Sequence, residues 1–430
     1  FYCRTINWYF SRSGMSKFLV QPIPMPAVYK SSQAWLHRFA ILTAIFTFAL
    51  LFIGGLVTSH QAGLSVPDWP TSYGWNMFTF PTKDWIGGIF FEHTHRLFAS
   101  LIGLMIMVQA FAWQFNFRGW WRRALWTLLA IGALYLVVEF FQLCLEAAAI
   151  QTTAAPLMLT SLFLALSIAV LAFVVLFIVY GNRNELPANR LVSKLSWFTL
   201  LGVVIQGTLG GLTVKYYLPP AVSTAHAGLG QAVFCLTLVI AMVTNHKWND
   251  GIVKRIEKSK IGLRVLTLAT VVVIFIQLLL GAVMRHTFSG LAIPSWPLAP
   301  NGSLIPDFTS FGVAINFAHR TWALVVMLMM FITARSIFRW FPREKSLIVP
   351  MMLGMFLLGI QIMLGAITIW SKKAVTPTTL HVSCGAAILG TMVYIMIKSR
   401  HLLASKTAHA SQVTHRSHAL DKNLASVITE

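Results

Sequence analysis

Four histidines stand at matching places along an apolar chain. His95 lies in Phe91-Glu92-His93-Thr94-His95-Arg96 and His319 in Asn316-Phe317-Ala318-His319-Arg320. His226 follows Ala225 shortly after Pro219-Pro220, and His381 follows Leu380 shortly after Pro377. Each sits near the start of an apolar segment long enough to cross a bilayer. Imidazole is an axial ligand of heme iron, so two pairs of imidazoles at one depth are what two bis-histidine hemes require. Zinc or copper is the weaker reading. Such a site wants three or four ligands close together, and His93 and His95 alternate on opposite sides of a helix and form no chelate. Four histidines serving only as packed structural residues are the remaining alternative.

The elements that must position these rings are membrane helices. The chain has 430 residues, of which 57% are hydrophobic and 10% charged, with a mean hydropathy of +0.71. That composition describes an all-α polytopic membrane protein. At about 20 apolar residues per span, ten segments qualify, at roughly 39–58, 89–113, 124–147, 156–180, 194–214, 222–244, 265–284, 315–338, 346–370 and 378–398. Placing both termini on the cytoplasmic or matrix side leaves the outer loops only Lys83, Lys215, Arg285, Lys372 and Lys373. Every other Lys and Arg, apart from Arg96 and Arg320, then falls on the inner side, as the positive-inside rule demands. The net charge of +21 is accounted for by basic inner loops beside anionic headgroups. It is spread over many loops rather than gathered on one face, so no nucleic-acid partner is expected.

Three segments recur. Gly55-Leu56-Val57 through Gly63-Leu64-Ser65-Val66-Pro67-Asp68-Trp69-Pro70 matches Gly281-Ala282-Val283 through Gly290-Leu291-Ala292-Ile293-Pro294-Ser295-Trp296-Pro297. The His95-Arg96 segment matches His319-Arg320, and Gln206 to Val214 matches Gln361 to Ile369. The pattern predicts two four-helix units in a parallel repeat. Their expected bounds are 1–38, a basic N-terminal tail; 39–244, the first unit; 245–264, a basic linker; 265–398, the second unit; and 399–430, a polar tail. Residues 1–38 also have the composition of a mitochondrial presequence, and Met15 is an alternative start. From His95 to His226 the chain runs about twice as far as from His319 to His381, and the surplus suffices for an extra helix pair at about 124–180. That pair carries Glu139 and Glu146 on one helix face.

Glu92 and Asn316 both stand three residues before their histidine, on the same helical face. Only the first half has an ionisable group there, which points to chemistry in that half and a supporting role in the other. A carboxylate capping a helix N-terminus is the alternative. Arg96 and Arg320 are candidate contacts for heme propionates, or else snorkel to headgroups. His37, His60, His246 and His286 are expected at the surface, and Trp69 and Trp296 either at the interface or over each cavity. Cys3, Cys144, Cys235 and Cys384 contain no CxxC and propose no disulfide framework.

Together, Glu92-x-x-His95-Arg96, His319-Arg320, the Gly-Leu-x-x-Pro-x-Trp-Pro loops and the two later histidines resemble the heme A synthase family over about 39–113 and 194–398. The resemblance implies a membrane oxidoreductase that turns a porphyrin methyl of heme O into the formyl group of heme A, by successive hydroxylation and loss of water. It implies that His95 and His226 hold the substrate heme O, with Glu92 catalytic, and that His319 and His381 hold a resident heme b. It implies an upstream heme O synthase, an electron acceptor such as a quinone, and a terminal cytochrome oxidase as the destination; a homo-oligomer is compatible with it. The expected location is the bacterial cytoplasmic membrane, with the mitochondrial inner membrane as alternative. Two departures stand out: the first outer loop lacks the cysteine pair of some members, and the helix pair at about 124–180 exceeds an eight-helix plan. The rival readings are a quinone-linked diheme electron-transfer cytochrome, which needs no Glu92, and a transporter without heme that uses histidines as proton relays.

Overall fold

The computed structural model describes residues 34–114, 187–245 and 262–403. Over these residues the protein is helical, without a named strand, and eight helices are long and apolar enough to cross a membrane. They are α1 (Ala34–Ser59), α2 (Gly88–Gln114), α3 (Pro187–Lys215), α4 (Pro220–Val243), α5 (Leu263–His286), α6 (Phe311–Trp340), α7 (Lys345–Trp370) and α8 (Val375–Leu402). Only short 3₁₀ turns, Thr82–Asp84 and Ser289–Leu291, interrupt the loops.

Most helices extend beyond the apolar segment read from sequence: α6 begins at Phe311 and runs through Arg339 to Trp340, past the segment's end at 338. Helical hydrogen bonding does not stop where hydropathy falls. Helix α1 begins at Ala34, α5 at Leu263, and α8 runs to Leu402. The expected extra helix pair, with Cys144, Glu139 and Glu146, lies outside the described residues, as do Cys3 and His246. Cys235 and Cys384 are free and half-buried.

Neighbouring helices close into two rings. α1 touches α2 and α4, and α3 touches the same two; α5 touches α6 and α8, and α7 touches the same two. The rings meet through α1 and α4 on one side and α5 and α8 on the other. Small residues make that seam close, as expected where lipid gives helices no hydrophobic reason to associate. A Cβ on Gly55 would lie 3.2 Å from the Thr379 methyl, one on Gly228 2.7 Å from Leu279, and one on Gly390 3.0 Å from the Phe234 ring.

Polar bonds lock the seam at one end. Arg285, expected in an outer loop, lies within α5 and donates to the Gly55 carbonyl (3.0 Å) and to Ser59 Oγ (2.7 Å). The Thr379 hydroxyl donates to the same Ser59 Oγ (2.9 Å). Within the second ring, Thr270 and Thr333 hydroxyls meet at 2.8 Å and Trp322 donates to the Val273 carbonyl (2.9 Å), fixing α6 against α5. Replacing Arg285 by Leu removes both of its bonds across the seam and is expected to destabilise the protein by about 1–2 kcal/mol. A lower melting temperature in detergent is the predicted result; an unchanged one would show that these bonds do not hold the rings together.

Candidate functional site

The four histidines lie about two turns from the first residue of α2, α4, α6 and α8 respectively. Each ring is half-buried and faces a glycine on the preceding helix. A Cβ on Gly54 would lie 3.2 Å from His95 Cε1, on Gly210 3.0 Å from His226, on Gly281 3.0 Å from His319, and on Gly365 3.1 Å from His381. At each place the helix without a side chain makes room for an imidazole. The counterpart of Gly281 is therefore Gly54 rather than Gly55, which faces Thr379 in the seam. The repeated loops align without a gap once Gly54 takes that place.

The rings stand as two pairs. His319 and His381 have centroids 6.5 Å apart. Two imidazole nitrogens each about 2 Å from one metal put the centroids about 6.4 Å apart, so the pair is spaced for a shared iron. His95 and His226 lie on α2 and α4 of the first ring, the places that His319 and His381 hold on α6 and α8 of the second. Among the described residues no group of three or more His, Cys, Asp or Glu forms a metal-ion cluster. Paired, half-buried imidazoles in glycine-lined gaps fit axial ligation of a macrocycle, and the donor set fits heme better than a bare ion.

Three glutamines bear on the histidines, a role that the sequence reading did not assign, although Gln206 and Gln361 head its repeated segment. Gln206 donates to the His226 carbonyl (2.9 Å) while His226 Nδ1 lies 3.1 Å from the Gln206 carbonyl. Gln277 donates to the His319 carbonyl (3.0 Å) and approaches both ring nitrogens. Gln361 lies 3.3 Å from His381 Nε2, and His381 Nδ1 lies 3.1 Å from the Gln361 carbonyl. Each glutamine stands four residues before the glycine that faces its histidine, one turn away on the same face. The signal was present as Gln-x-x-x-Gly, three times over.

The His-Arg motifs bind the loops that precede them. Arg96 Nη2 donates to Glu92 Oε1 (2.8 Å) and to the Val66 carbonyl (2.7 Å); Nη1 donates to the Asp68 (2.7 Å) and Thr71 (3.0 Å) carbonyls. Glu92, 4% exposed, also accepts the Val66 N–H at Oε2 (2.8 Å). Arg320 donates to the matching carbonyls, Ile293 and Ser295, both at 2.8 Å. Asn316 replaces Glu92 with the opposite polarity, donating to the Ser289 and Gly290 carbonyls. The arginines, expected on propionates or headgroups, thus spend these N–H groups on loop backbone. Gly88 and Gly312, one turn before Glu92 and Asn316, let the loops in: a Cβ would lie 2.1 Å from Ser65 Oγ in the first case and 3.1 Å from Ser289 Oγ in the second.

The loops fold back over the rings' end of each helix ring. The Trp69 indole lies on Gly211 of α3, where a Cβ would come within 2.4 Å, and Trp296 packs edge-on against Trp370 of α7 at 5.8 Å. The first loop is further knotted by Asp68. Burial alone would raise its pKa, but bonds from the Gly74 amide, the Thr71 hydroxyl and the Tyr73 amide outweigh that and hold it below its ordinary value. His93 is fully buried beside Phe80 and Trp85, with Nδ1 3.2 Å from Ser72 Oγ. Two histidines expected at the surface are not there: His37 is half-buried against the Thr244 hydroxyl (3.1 Å), and His286 is half-buried at the end of α5. His60 is exposed, stacked on Phe91 at 3.9 Å. A surface hollow of about 670 Å³ lined by Phe331, Arg335 and Phe338 lies further along α6, away from the histidines.

An integral membrane protein of helical rings holding paired histidines is the class this arrangement defines. A family model described as cytochrome oxidase assembly protein, COX15-CtaA, matches residues 159–393, more than half of the chain, and the chain belongs to that family. The matched stretch contains His226, His319 and His381; Glu92 and His95 precede it. Similar proteins include the heme A synthase of Staphylococcus carnosus, 26% identical over 228 residues, 52% of this chain and 71% of the relative. The heme A synthase of Listeria welshimeri is 22% identical over 223 residues, 51% of this chain and 70% of its own length. That of Staphylococcus epidermidis is 24% identical over 248 residues, 57% and 78% of the two chains.

Arg96→Gln leaves Glu92 buried without its cation and frees three loop carbonyls. Breaking a buried ion pair from one side costs about 3–5 kcal/mol, so protease cleavage within residues 66–80 should rise sharply. Cleavage at the wild-type rate would show that the loop is held by other means.

Proposed function

We propose that the chain is a heme A synthase, oxidising a ring methyl of heme O to the formyl group of heme A for a terminal oxidase. Two histidine pairs support this reading, together with the polar residue one turn before the first histidine of each. Glu92 is a carboxylate three residues before His95, whereas Asn316 is an amide three residues before His319. On this reading His95 and His226 take the substrate, and His319 and His381 take a resident heme b. The heme in the second pair would supply one-electron redox chemistry. The protein would be two parallel four-helix units, 39–244 and 265–398, with an extra helix pair in the first. Both termini would face the cytoplasm or matrix, in a bacterial cytoplasmic or mitochondrial inner membrane.

Converting CH₃ to CHO with an oxygen from water releases four electrons and four protons, so the protein must pass electrons to an acceptor such as a membrane quinone. The chain's own groups position and polarise. Glycine-lined gaps place the rings, and Trp69 covers the first pair's loop end. Glu92 has both oxygens engaged, one by Arg96 and one by the Val66 amide. To act as a base it would first have to give up one of these bonds. A fixed negative charge that stabilises positive charge developing at the methyl carbon suits the geometry better. The same engagement favours the rival diheme cytochrome, in which Glu92 only pins the loop.

Glu92→Gln keeps an acceptor for Val66 and removes the charge. Conversion of heme O is expected to fall about 100-fold while heme content stays at the wild-type level. Normal heme A output from this variant would remove Glu92 from the chemistry.

A further inference from the structure

We infer that His95 is the exchangeable ligand of the four, and that Leu50 keeps it so; the inference rests on the heme-binding reading above. Three of the four histidines are stapled to the preceding helix by a glutamine that stands four residues before the facing glycine. In α1 the facing glycine is Gly54, and four residues earlier stands Leu50. Leu50 packs into the apolar cluster of Ile102, Ile106 and Val233, and its side chain has no hydrogen-bonding atom to offer. His95 Nδ1 is a buried nitrogen without a hydrogen-bond partner, whereas Nδ1 of His319, on the matching helix of the second ring, lies 3.2 Å from the side-chain amide of Gln277, the counterpart of Leu50; Nδ1 of His226 and of His381 each lies 3.1 Å from the backbone carbonyl of its glutamine.

An outer partner fixes a ligating imidazole's tautomer and orientation and makes it a better donor, and removing such a partner typically lowers metal affinity about 10–100-fold. His226, His319 and His381 have that support. His95 does not, so its bond to a bound iron is the one that yields. The exchange involves no oxidation: the His95–iron bond breaks, a bond from a small neutral ligand forms, and His226 stays in place. The asymmetry lies in the unit that carries Glu92, so the position that opens is next to the only carboxylate among the four motifs.

Carbon monoxide added to the reduced, heme-loaded protein is the probe, read by the shift of the Soret band. Half of the heme is expected to form the complex in the wild type. Leu50→Gln should weaken carbon monoxide binding tenfold or more, while Leu50→Met, which fills similar space without a donor, should leave it unchanged. Gln277→Leu, which removes the side-chain partner of His319 Nδ1, should make the second heme reactive. A wild type whose hemes both ignore carbon monoxide, or a Leu50→Gln protein that binds it as tightly as wild type, would overturn the inference and leave heme binding standing. A purified protein with no Soret band would instead overturn the functional reading on which it rests.

Discussion

Each of the four imidazoles sits between two membrane helices at a place where the facing helix presents no Cβ, and the rest of the structure is arranged around that close approach. Gly54, Gly210, Gly281 and Gly365 each clear the space for one ring, with room for a Cβ only 3.0–3.2 Å from the imidazole carbon. Because the glycine lies on the preceding helix, each histidine belongs to a helical hairpin rather than to a single helix. The tight links between hairpin partners follow the same plan. Leu218 and Lys373 both adopt positive φ after α3 and α7, and their amides return to the Thr213 and Thr368 carbonyls at 2.7 and 2.8 Å. Two such hairpins make a ring, and two rings meet through small residues and the Arg285–Ser59–Thr379 bonds.

The second constraint is electrostatic. A buried arginine inside a membrane helix needs acceptors, and both His-Arg motifs find them in the carbonyls of the Gly-Leu-x-x-Pro-x-Trp-Pro loop. The pairing explains why that loop and that motif recur together. The loop is held down by the helix that also carries the histidine. Glu92 and Asn316 complete the clamp with opposite polarity, one accepting from an amide and one donating to carbonyls. The negative charge in the first half is thus both a structural tie and the feature that separates the two pairs.

Much of this was legible in the chain. Hydropathy located the eight described spans, because a bilayer demands long apolar runs, and the recurrence of four histidines singled out the site. That two of them fall in each half was legible too, because each half of the repeat carries its own pair of histidine segments. Three things were not. Helix ends ran past the apolar stretches, because backbone hydrogen bonding continues into the interface. The partners of Arg96 and Arg320 were hidden, since a carbonyl acceptor leaves no trace in residue type. The glutamines and the glycine register were readable only once the rings were seen to face Gly54 and its equivalents; the extra glycine at Gly55 shifted the alignment by one residue.

The central claim is that the two histidine pairs hold different hemes, one as substrate. The most direct measurement is to extract and chromatograph the hemes from protein purified out of cells that supply heme O. The account predicts heme b together with heme O, heme A or species between them. Heme b alone, at two per chain and unchanged by heme O supply, would contradict it and identify the protein as an electron-transfer cytochrome.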